Sequence, residues 1–367
     1  MRTAIVSDLH LGSATGEDIL RDADIRRILL EELAAADRLV LLGDVLELRE
    51  VPLASALEAA RPFFEQLGET MAGKSVLLIP GNHDHRLAEP LLERLALRGR
   101  SLDLEQNATP DSEPAARIAA WLSSAELKLA YPGAWLRDDV YATHGHYMDC
   151  HMSLPRLECI AAAASMRALG ALPESTTPAN YERVLRPVYD LSFGLAQGGA
   201  SERAHRPSER AWRAISSANG RRGRLRRAAL RAAIPAGIWS LNRLLRAEFE
   251  PTLTSSSISH SGIAAARNLV ARLNLDAAHV ITGHTHRGGP WTGDPAWELA
   301  SGGRLHNTGS WVFASVFHGP GTPPGSYWPG TITWLEDSGP PQHSRLLMEH
   351  SRDELRGTVR RLAATTI

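Results

Sequence analysis

The histidines of this chain are concentrated rather than dispersed. Seven of the fifteen lie in four short clusters, at residues 8–10, 82–85, 144–146 and 284–286, and each cluster follows a run that resembles a β-strand. Core packing does not explain why imidazoles gather at strand ends. Ligand sites in α/β folds lie at the carboxyl ends of strands, so we expect the four clusters to meet in one crevice.

The first part of the chain alternates short β-rich runs with helical patterns, which is typical of βαβ units. Strands are predicted at residues 4–6, 38–42, 75–79, 127–131 and 140–143, with helices at 19–35, 53–71, 87–97 and up to Trp121. Later in the chain the pattern predicts a helix at 263–273, a strand at 279–281 and a hairpin of 331–335 against 345–348.

Strand signals disappear from about His151 to Ser259, where Ala, Arg and Leu dominate with scattered Pro. This composition predicts a helical insertion within an α/β core. We therefore divide the chain into a first core segment (1–150), a helical insertion or cap (151–260), a second core segment (261–345) and a C-terminal helix or tail (346–367).

Composition excludes several classes of protein. With 43% hydrophobic and 22% charged residues, the chain can bury a sizeable core and is not disordered as a whole. Two cysteines are too few for a disulfide framework, and neither a basic leader before an apolar run nor a bilayer-spanning apolar stretch is evident. A cytoplasmic location is the resulting expectation, with contact at the inner face of the membrane left open.

The polar residues at the strand ends have the chemistry of a divalent metal site. In Asp8-x-His10 the two side chains leave the same side of an extended backbone, so both can reach one ion. Borderline divalent metals bind imidazole and carboxylate groups together. The candidate ligands at the strand ends are Asp8, His10, Asp44, Asn82, His144, His284 and His286.

The order of these motifs resembles the calcineurin-like metallophosphoesterase superfamily. The motifs are Asp8-x-His10, Gly43-Asp44, Gly81-Asn82-His83-Asp84, His144-Gly145-His146 and Gly283-His284-Thr285-His286. The resemblance implies an α/β fold, a β-sandwich flanked by helices, with a helical cap inserted. It also implies two divalent transition-metal ions, with Mn²⁺ favoured and Fe or Zn as alternatives. Asp8, His10 and His286 would hold one ion, Asn82, His144 and His284 the other, and Asp44 would bridge them.

The same resemblance implies a mechanism for phosphate-ester substrates, in which a hydroxide bridging the metals attacks phosphorus in line. His83 would give a proton to the leaving oxygen. Glu47 occupies the place of an acidic partner for that histidine, although a solvated surface glutamate is an equal alternative. Asp84 and His146 are further candidates for supporting the ligands or contacting substrate, as are Arg221 and Arg222 in the insertion.

The motifs leave the substrate open. The opening Ser7-Asp8-Leu9-His10-Leu11-Gly12 is similar to two branches of the superfamily. One is the UDP-2,3-diacylglucosamine pyrophosphatase branch, which carries a helical lid in the same interval, and the other is the DNA double-strand-break repair nucleases. A bulky anionic phosphodiester or pyrophosphate, lipid- or nucleotide-linked, is the favoured substrate. A non-catalytic metal-binding scaffold is the third reading, and the oligomeric state is not predicted.

Charge is concentrated in the insertion. Residues 201–250 contain twelve arginines and four acids, in a chain of net charge −1. The run Arg221, Arg222, Arg224, Arg226 and Arg227 lies beside a stretch with apolar residues at roughly helical spacing. Such a segment fits a lid over an amphiphilic phosphate ester or an anionic membrane surface, and less well a nucleic acid. A helical subdomain with its arginines in solvent is the alternative.

Overall fold

The computed structural model describes residues 1–198, 235–251, 255–292, 294, 297–318 and 324–365. Arg221 and Arg222 lie outside the described residues, as does the rest of the arginine-rich run. The lid prediction made for that run therefore stays a prediction.

Ten strands form the core of the described structure. They are β1 (Thr3–Val6), β2 (Arg38–Leu41), β3 (Ser75–Leu78), β4 (Glu105–Ala108), β5 (Glu126–Arg137), β6 (Val140–Thr143), β7 (His279–Thr282), β8 (Arg304–Asn307), β9 (Thr331–Leu335) and β10 (Gln342–Arg345). Their order is β10-β9-β1-β2-β3-β5-β6-β7-β8, with β4 also paired to β5. The runs β1-β2-β3 and β6-β7-β8 are each parallel.

Strand β5 connects the two parallel runs. Its first residues pair in parallel with β3, and its last residues pair antiparallel with β6. Apolar side chains from both halves meet in one buried cluster that includes Ile5, Val40 and Ile281. Their neighbours Ala4, Leu39 and Val280 point to the opposite faces, as the two-residue period of a strand requires. The fold is a mixed α/β sandwich, as predicted.

Helices cover the two outer faces of this sandwich. They are α1 (Ala23–Leu33), α2 (Leu53–Thr70), α3 (Glu89–Leu97), α4 (Glu113–Trp121), α5 (Leu157–Leu169), α6 (Pro178–Gln197), α7 (Ser255–Arg272) and α8 (Arg352–Thr365), and residues 235–245 are also helical. One core cluster joins the β1–β3 face to α1, α2 and α4, and another joins the β6–β8 face to α5, α6 and α7. Within the described part, no helix is long and apolar enough to cross a membrane.

Several boundaries differ from the prediction. The second hairpin strand is Gln342–Arg345 rather than 345–348, because Leu347 leaves the sheet to fill the core and its carbonyl accepts a hydrogen bond from the Trp328 indole at 2.9 Å. Helix α7 begins at Ser255 rather than Ile263. Strands β4 and β8 were not predicted, since both are short and polar.

Candidate metal centre

The predicted ligands meet at the carboxyl ends of the parallel strands. Asp8 follows β1, Asp44 follows β2 and Asn82 follows β3, and the in-register pairing of these strands aligns their ends. His144 directly follows β6, and His284 follows β7. The crossover through β5 brings this second set of strand ends to the same place as the first. Segments that are far apart in sequence therefore supply a single cluster.

The backbone is strained at these positions. Seven described non-glycine residues have positive φ, and five are predicted ligands: Asp8 (55°), His10 (46°), Asp44 (51°), His284 (66°) and His286 (59°). Left-handed conformations are uncommon for residues with a Cβ and cost on the order of 1–3 kcal/mol each. Such strain persists only where the surrounding fold over-determines it, and it concentrates at functional sites.

Asp8, His10 and His286 form the first group of potential ligands, with ligand atoms close enough to hold one metal ion. The Nε2 atoms of His10 and His286 lie 3.2 Å apart. The Oδ1 atom of Asp8 is 3.2 Å from His286 Nε2 and 4.0 Å from His10 Nε2. These are the three residues that the resemblance assigned to one ion.

Asp44, His144 and His284 form the second group, and ligand atoms of His10, Asp44 and His83 are also close enough to hold an ion. Asp44 Oδ2 lies 3.1 Å from His144 Nε2 and 3.7 Å from His10 Nε2, so this carboxylate stands between the two groups. The amide oxygen of Asn82 is 3.1 Å from Nδ1 of His284, which places it beside the second group.

In three of these histidines, one ring nitrogen faces the cluster and the other makes a hydrogen bond to a residue outside it. His10 Nδ1 donates to Glu47 at 3.0 Å, His144 Nδ1 to the Leu42 carbonyl at 2.9 Å, and His284 Nε2 to Asp149 at 2.9 Å. Outer partners of this kind fix the ring orientation of metal-binding histidines. The remaining nitrogen of each ring is the one that faces the cluster. The residues present therefore fit divalent cations.

A buried polar atom without a partner and the raised pKa values of two histidines also indicate a cation site. The side-chain nitrogen of Asn82 is buried without a hydrogen-bond partner among the described residues. Burial opposes protonation of His10, yet Glu47 and Asp44 raise its pKa to about 10. Burial likewise opposes protonation of His144, yet Asp44 raises its pKa to about 9. The buried carboxylates thus draw positive charge into the cluster, and cations would supply it.

Two glycines let these loops approach one another. A Cβ on Gly81 would overlap the Asp44 carboxylate and lie 2.6 Å from His144 Cδ2. A Cβ on Gly283 would lie 2.5 Å from the Ser7 hydroxyl and 2.6 Å from Asp8 Oδ2. Any larger residue at either position would push a candidate ligand away.

His83 lies at the edge of the cluster. Its backbone N–H donates to Asp44 Oδ1 at 2.8 Å, and its Nδ1 is 2.6 Å from Glu47 Oε2. The His83 side chain is 19% exposed, whereas Glu47 is buried rather than solvated. The single Glu47 carboxylate therefore orients both His10 and His83, and its position beside these rings holds its pKa well below the usual range despite burial.

The other sequence candidates have different surroundings. Asp84 is fully buried, and its carboxylate accepts hydrogen bonds from the amides of Gly81 at 2.6 Å and Val45 at 2.7 Å. His146 is also buried, with Nε2 3.1 Å from the Tyr131 hydroxyl. Burial, together with the nearby His144 ring, holds the pKa of His146 well below its usual value. Both side chains are shielded from solvent, unlike that of His83.

Sequence reasoning missed two carboxylates near the site. Asp149, in the 3₁₀ helix His146–Cys150, orients His284, and its place shortly after the His-Gly-His motif was the only available signal. Glu182, on α6, is 2.9 Å from His85 and accepts hydrogen bonds from Tyr131 and Tyr147. Nothing in the local sequence connects α6 with these core residues.

A family model described as "Calcineurin-like phosphoesterase" matches residues 1–166. These residues, which are under half of the chain, belong to the calcineurin-like phosphoesterase family. The chain is accordingly a metal-dependent phosphoesterase, a hydrolase that acts on phosphate esters, and its Asp and His clusters suit divalent metal ions. The superfamily inferred from the motifs is thus confirmed, while the individual branch is not.

No curated protein matches the chain. Among solved structures, an Ile-to-Met mutant of a cold-active protein tyrosine phosphatase aligns at 15% identity over 92% of this chain and 75% of that one, with a TM-score of 0.30. The cold-active protein-tyrosine phosphatase of a psychrophilic Shewanella species aligns at 14% identity with the same coverage and a TM-score of 0.28. Likeness at these scores does not bear on the substrate.

Proposed function

We propose that this phosphoesterase is dinuclear and acts on a bulky anionic phosphodiester or pyrophosphate, lipid- or nucleotide-linked. The observation that carries the proposal is the position of Asp44, whose carboxylate lies within 3.7 Å of a histidine from each of two ligand groups. Asp8, His10 and His286 would hold one ion, and Asn82, His144 and His284 the other. Manganese is the metal we expect, with iron and zinc as alternatives.

Two divalent ions in such a site lower the pKa of water and neutralise phosphate charge, so no strong protein base is needed. The contribution of the protein is to position the reacting groups. Glu47 holds Nδ1 of His83, which leaves Nε2 to meet the leaving oxygen. His83 is the proton donor in this proposal, and general acid catalysis of this kind contributes roughly 10²–10⁴-fold.

The helical insertion, 151–260, acts as a cap in this proposal. Its helix α6 contacts the core through Glu182, which lies 2.9 Å from His85. Arg186 of the same helix donates two hydrogen bonds to the carboxylate of Glu89. Helix α5 contributes Glu158, which lies 3.7 Å from Arg49 near the open edge of the cluster. These contacts support a cap that borders the site.

Hydrolysis of bis-p-nitrophenyl phosphate tests the proposed chemistry. The protein loaded with Mn²⁺ should release nitrophenol, and removal of metal by a chelator should abolish the reaction until Mn²⁺ is restored. The same protein should also be tested with phosphomonoesters, phosphodiesters, nucleotide pyrophosphates and single-stranded DNA. If it binds two ions and hydrolyses none of these substrates, it is a non-catalytic scaffold. Preference for DNA over every small ester would favour the nuclease alternative.

A further inference from the structure

A recess opens beside His83. Its inner end is lined by Asn82, His83 and Arg49, which belong to the candidate metal centre or border it. Its outer wall includes Arg86 together with Tyr189 and Phe193 of α6. Because His83 would protonate the leaving oxygen, the leaving part of a substrate would lie on this side of the cluster.

The inner end suits a phosphate group. Arg49 is only 9% exposed, and its Nη1 lies 3.5 Å from Nε2 of His83. Tyr189 is 4% exposed, and its hydroxyl is buried without a hydrogen-bond partner among the described residues. Buried hydroxyls in native structures usually have a hydrogen-bond partner, and a ligand oxygen would serve as that partner for Tyr189. A phosphate oxygen accepts hydrogen bonds from both guanidinium and hydroxyl groups.

The outer wall suits a planar ring. The Arg86 guanidinium carbon lies 5.6 Å from the centroid of the Phe193 ring. Phe193 is half-buried and packs against the core cluster beneath α2, which restrains its ring. Bases stack on aromatic rings and on arginine guanidinium planes.

A saturated acyl chain fits this wall poorly. Two guanidinium groups and the carboxylate of Asp190 share the lining, so the recess lacks the continuous apolar surface that such a chain needs.

We infer that the recess is the subsite for the leaving part of the substrate and selects a planar aromatic ring linked to phosphate, such as a nucleoside 5′-phosphate. Phe193 and Arg86 would bind the ring, and Tyr189 and Arg49 would bind the phosphate. The inference rests on the proposed phosphoesterase function and adds a substrate class to it.

A pair of ligands that differ only in the ring tests the inference. Adenosine 5′-monophosphate and ribose 5-phosphate carry the same phosphate dianion on the same sugar. We expect the Mn²⁺-loaded protein to bind the adenosine compound about tenfold more tightly, since base stacking on an aromatic side chain has roughly that effect. Calorimetry gives both affinities without requiring turnover.

Two variants locate the effect. Phe193→Ala should reduce the ratio of the two affinities to near 1 and leave the affinity for ribose 5-phosphate unchanged, whereas Tyr189→Phe should weaken both ligands several-fold. Leu191→Ala is the matched control, because Leu191 lies on the same helix, is 64% exposed and does not line the recess. Equal affinities in the wild-type protein, or a ratio that survives Phe193→Ala, would overturn the inference.

The two levels of proposal fail differently. Loss of the ring preference with nitrophenyl ester hydrolysis intact would reject the subsite and retain the phosphoesterase site. A protein that hydrolyses no ester but still binds the adenosine compound tightly through Phe193 would retain the subsite and reject the catalytic proposal.

Discussion

Asp84→Asn should destabilise the metal-free protein even though it changes a single atom type in the side chain. The carboxylate of Asp84 accepts hydrogen bonds from four amides, those of Gly81 (2.6 Å), Val45 (2.7 Å), Asp44 (3.3 Å) and Leu46 (3.4 Å). Together these bonds tie the loop after β2 to the loop after β3. In the Asn variant an NH₂ group replaces one carboxylate oxygen. This group is a donor, so it cannot accept hydrogen bonds from the backbone amides that it faces.

The size of the effect follows from the number of amides that lose their acceptor. Each carboxylate oxygen serves two amides, one at short distance and one at long distance, so the variant leaves two buried N–H groups unsatisfied whichever way it rotates. An unsatisfied buried group costs about 1–3 kcal/mol. Because one bond in each pair is long, we expect a loss of about 2–3 kcal/mol in the free energy of unfolding.

Urea denaturation of chelator-treated protein measures this loss. Asp138→Asn is the control, because Asp138 is exposed in the turn between β5 and β6. The Asp84 variant should also gain less stability than wild type on addition of Mn²⁺, since ligand-induced stabilisation depends on affinity and both loops carry ligands. A loss below about 1 kcal/mol, equal to that of the control, would refute the reasoning.

Three further predictions concern catalysis, loop packing and pH. His83→Ala should retain its metals, as determined by elemental analysis, and lose kcat mainly on esters with poor leaving groups; equal losses on nitrophenyl and alkyl esters would refute general acid catalysis. Gly81→Ala should lose metal because its Cβ displaces Asp44 or His144, whereas Gly194→Ala, where nothing lies within 4 Å of the added atom, should keep it. Glu182→Gln should lower the free energy of unfolding by roughly 3 kcal/mol near neutral pH, because it breaks a buried ion pair. Burial opposes protonation of His85, but Glu182 raises its pKa to about 9 from 6.5, so this stabilisation is complete below pH 6.5 and is lost as the pH rises through about 9. Chemical denaturation at several pH values should therefore show the gap between wild type and variant closing on the alkaline side, and a constant gap would contradict the pairing.

The sequence could predict the positions of the strand-end motifs because each combines a local signal, an apolar run, with the polar residues that follow it. Asp8, Asp44 and Asn82 are brought together by parallel pairing of adjacent strands, which the βαβ pattern indicates. The sandwich itself depends on the long strand β5, whose change of pairing partner along its length has no clear local signal.

Contacts between the insertion and the core could not be predicted in this way. Glu182 and Tyr189 look like ordinary residues of an amphipathic helix, and only the packing of α6 against the core brings them near His85 and His146. The hairpin register was missed for a related reason. The apolar residue Leu347 packs in the core beside Trp328 and does not belong to a strand, so its place in the apolar pattern was misleading.

The metal content of Asp44→Asn tests the central claim most directly. The wild-type protein should carry close to two transition-metal ions per chain, because ligands for two sites are present and the Asp44 carboxylate stands between them. The variant should lose metal from both sites and lose activity with it, while its fold, followed by circular dichroism, is retained. Full metal occupancy together with wild-type activity in Asp44→Asn would contradict the dinuclear, Asp44-bridged site.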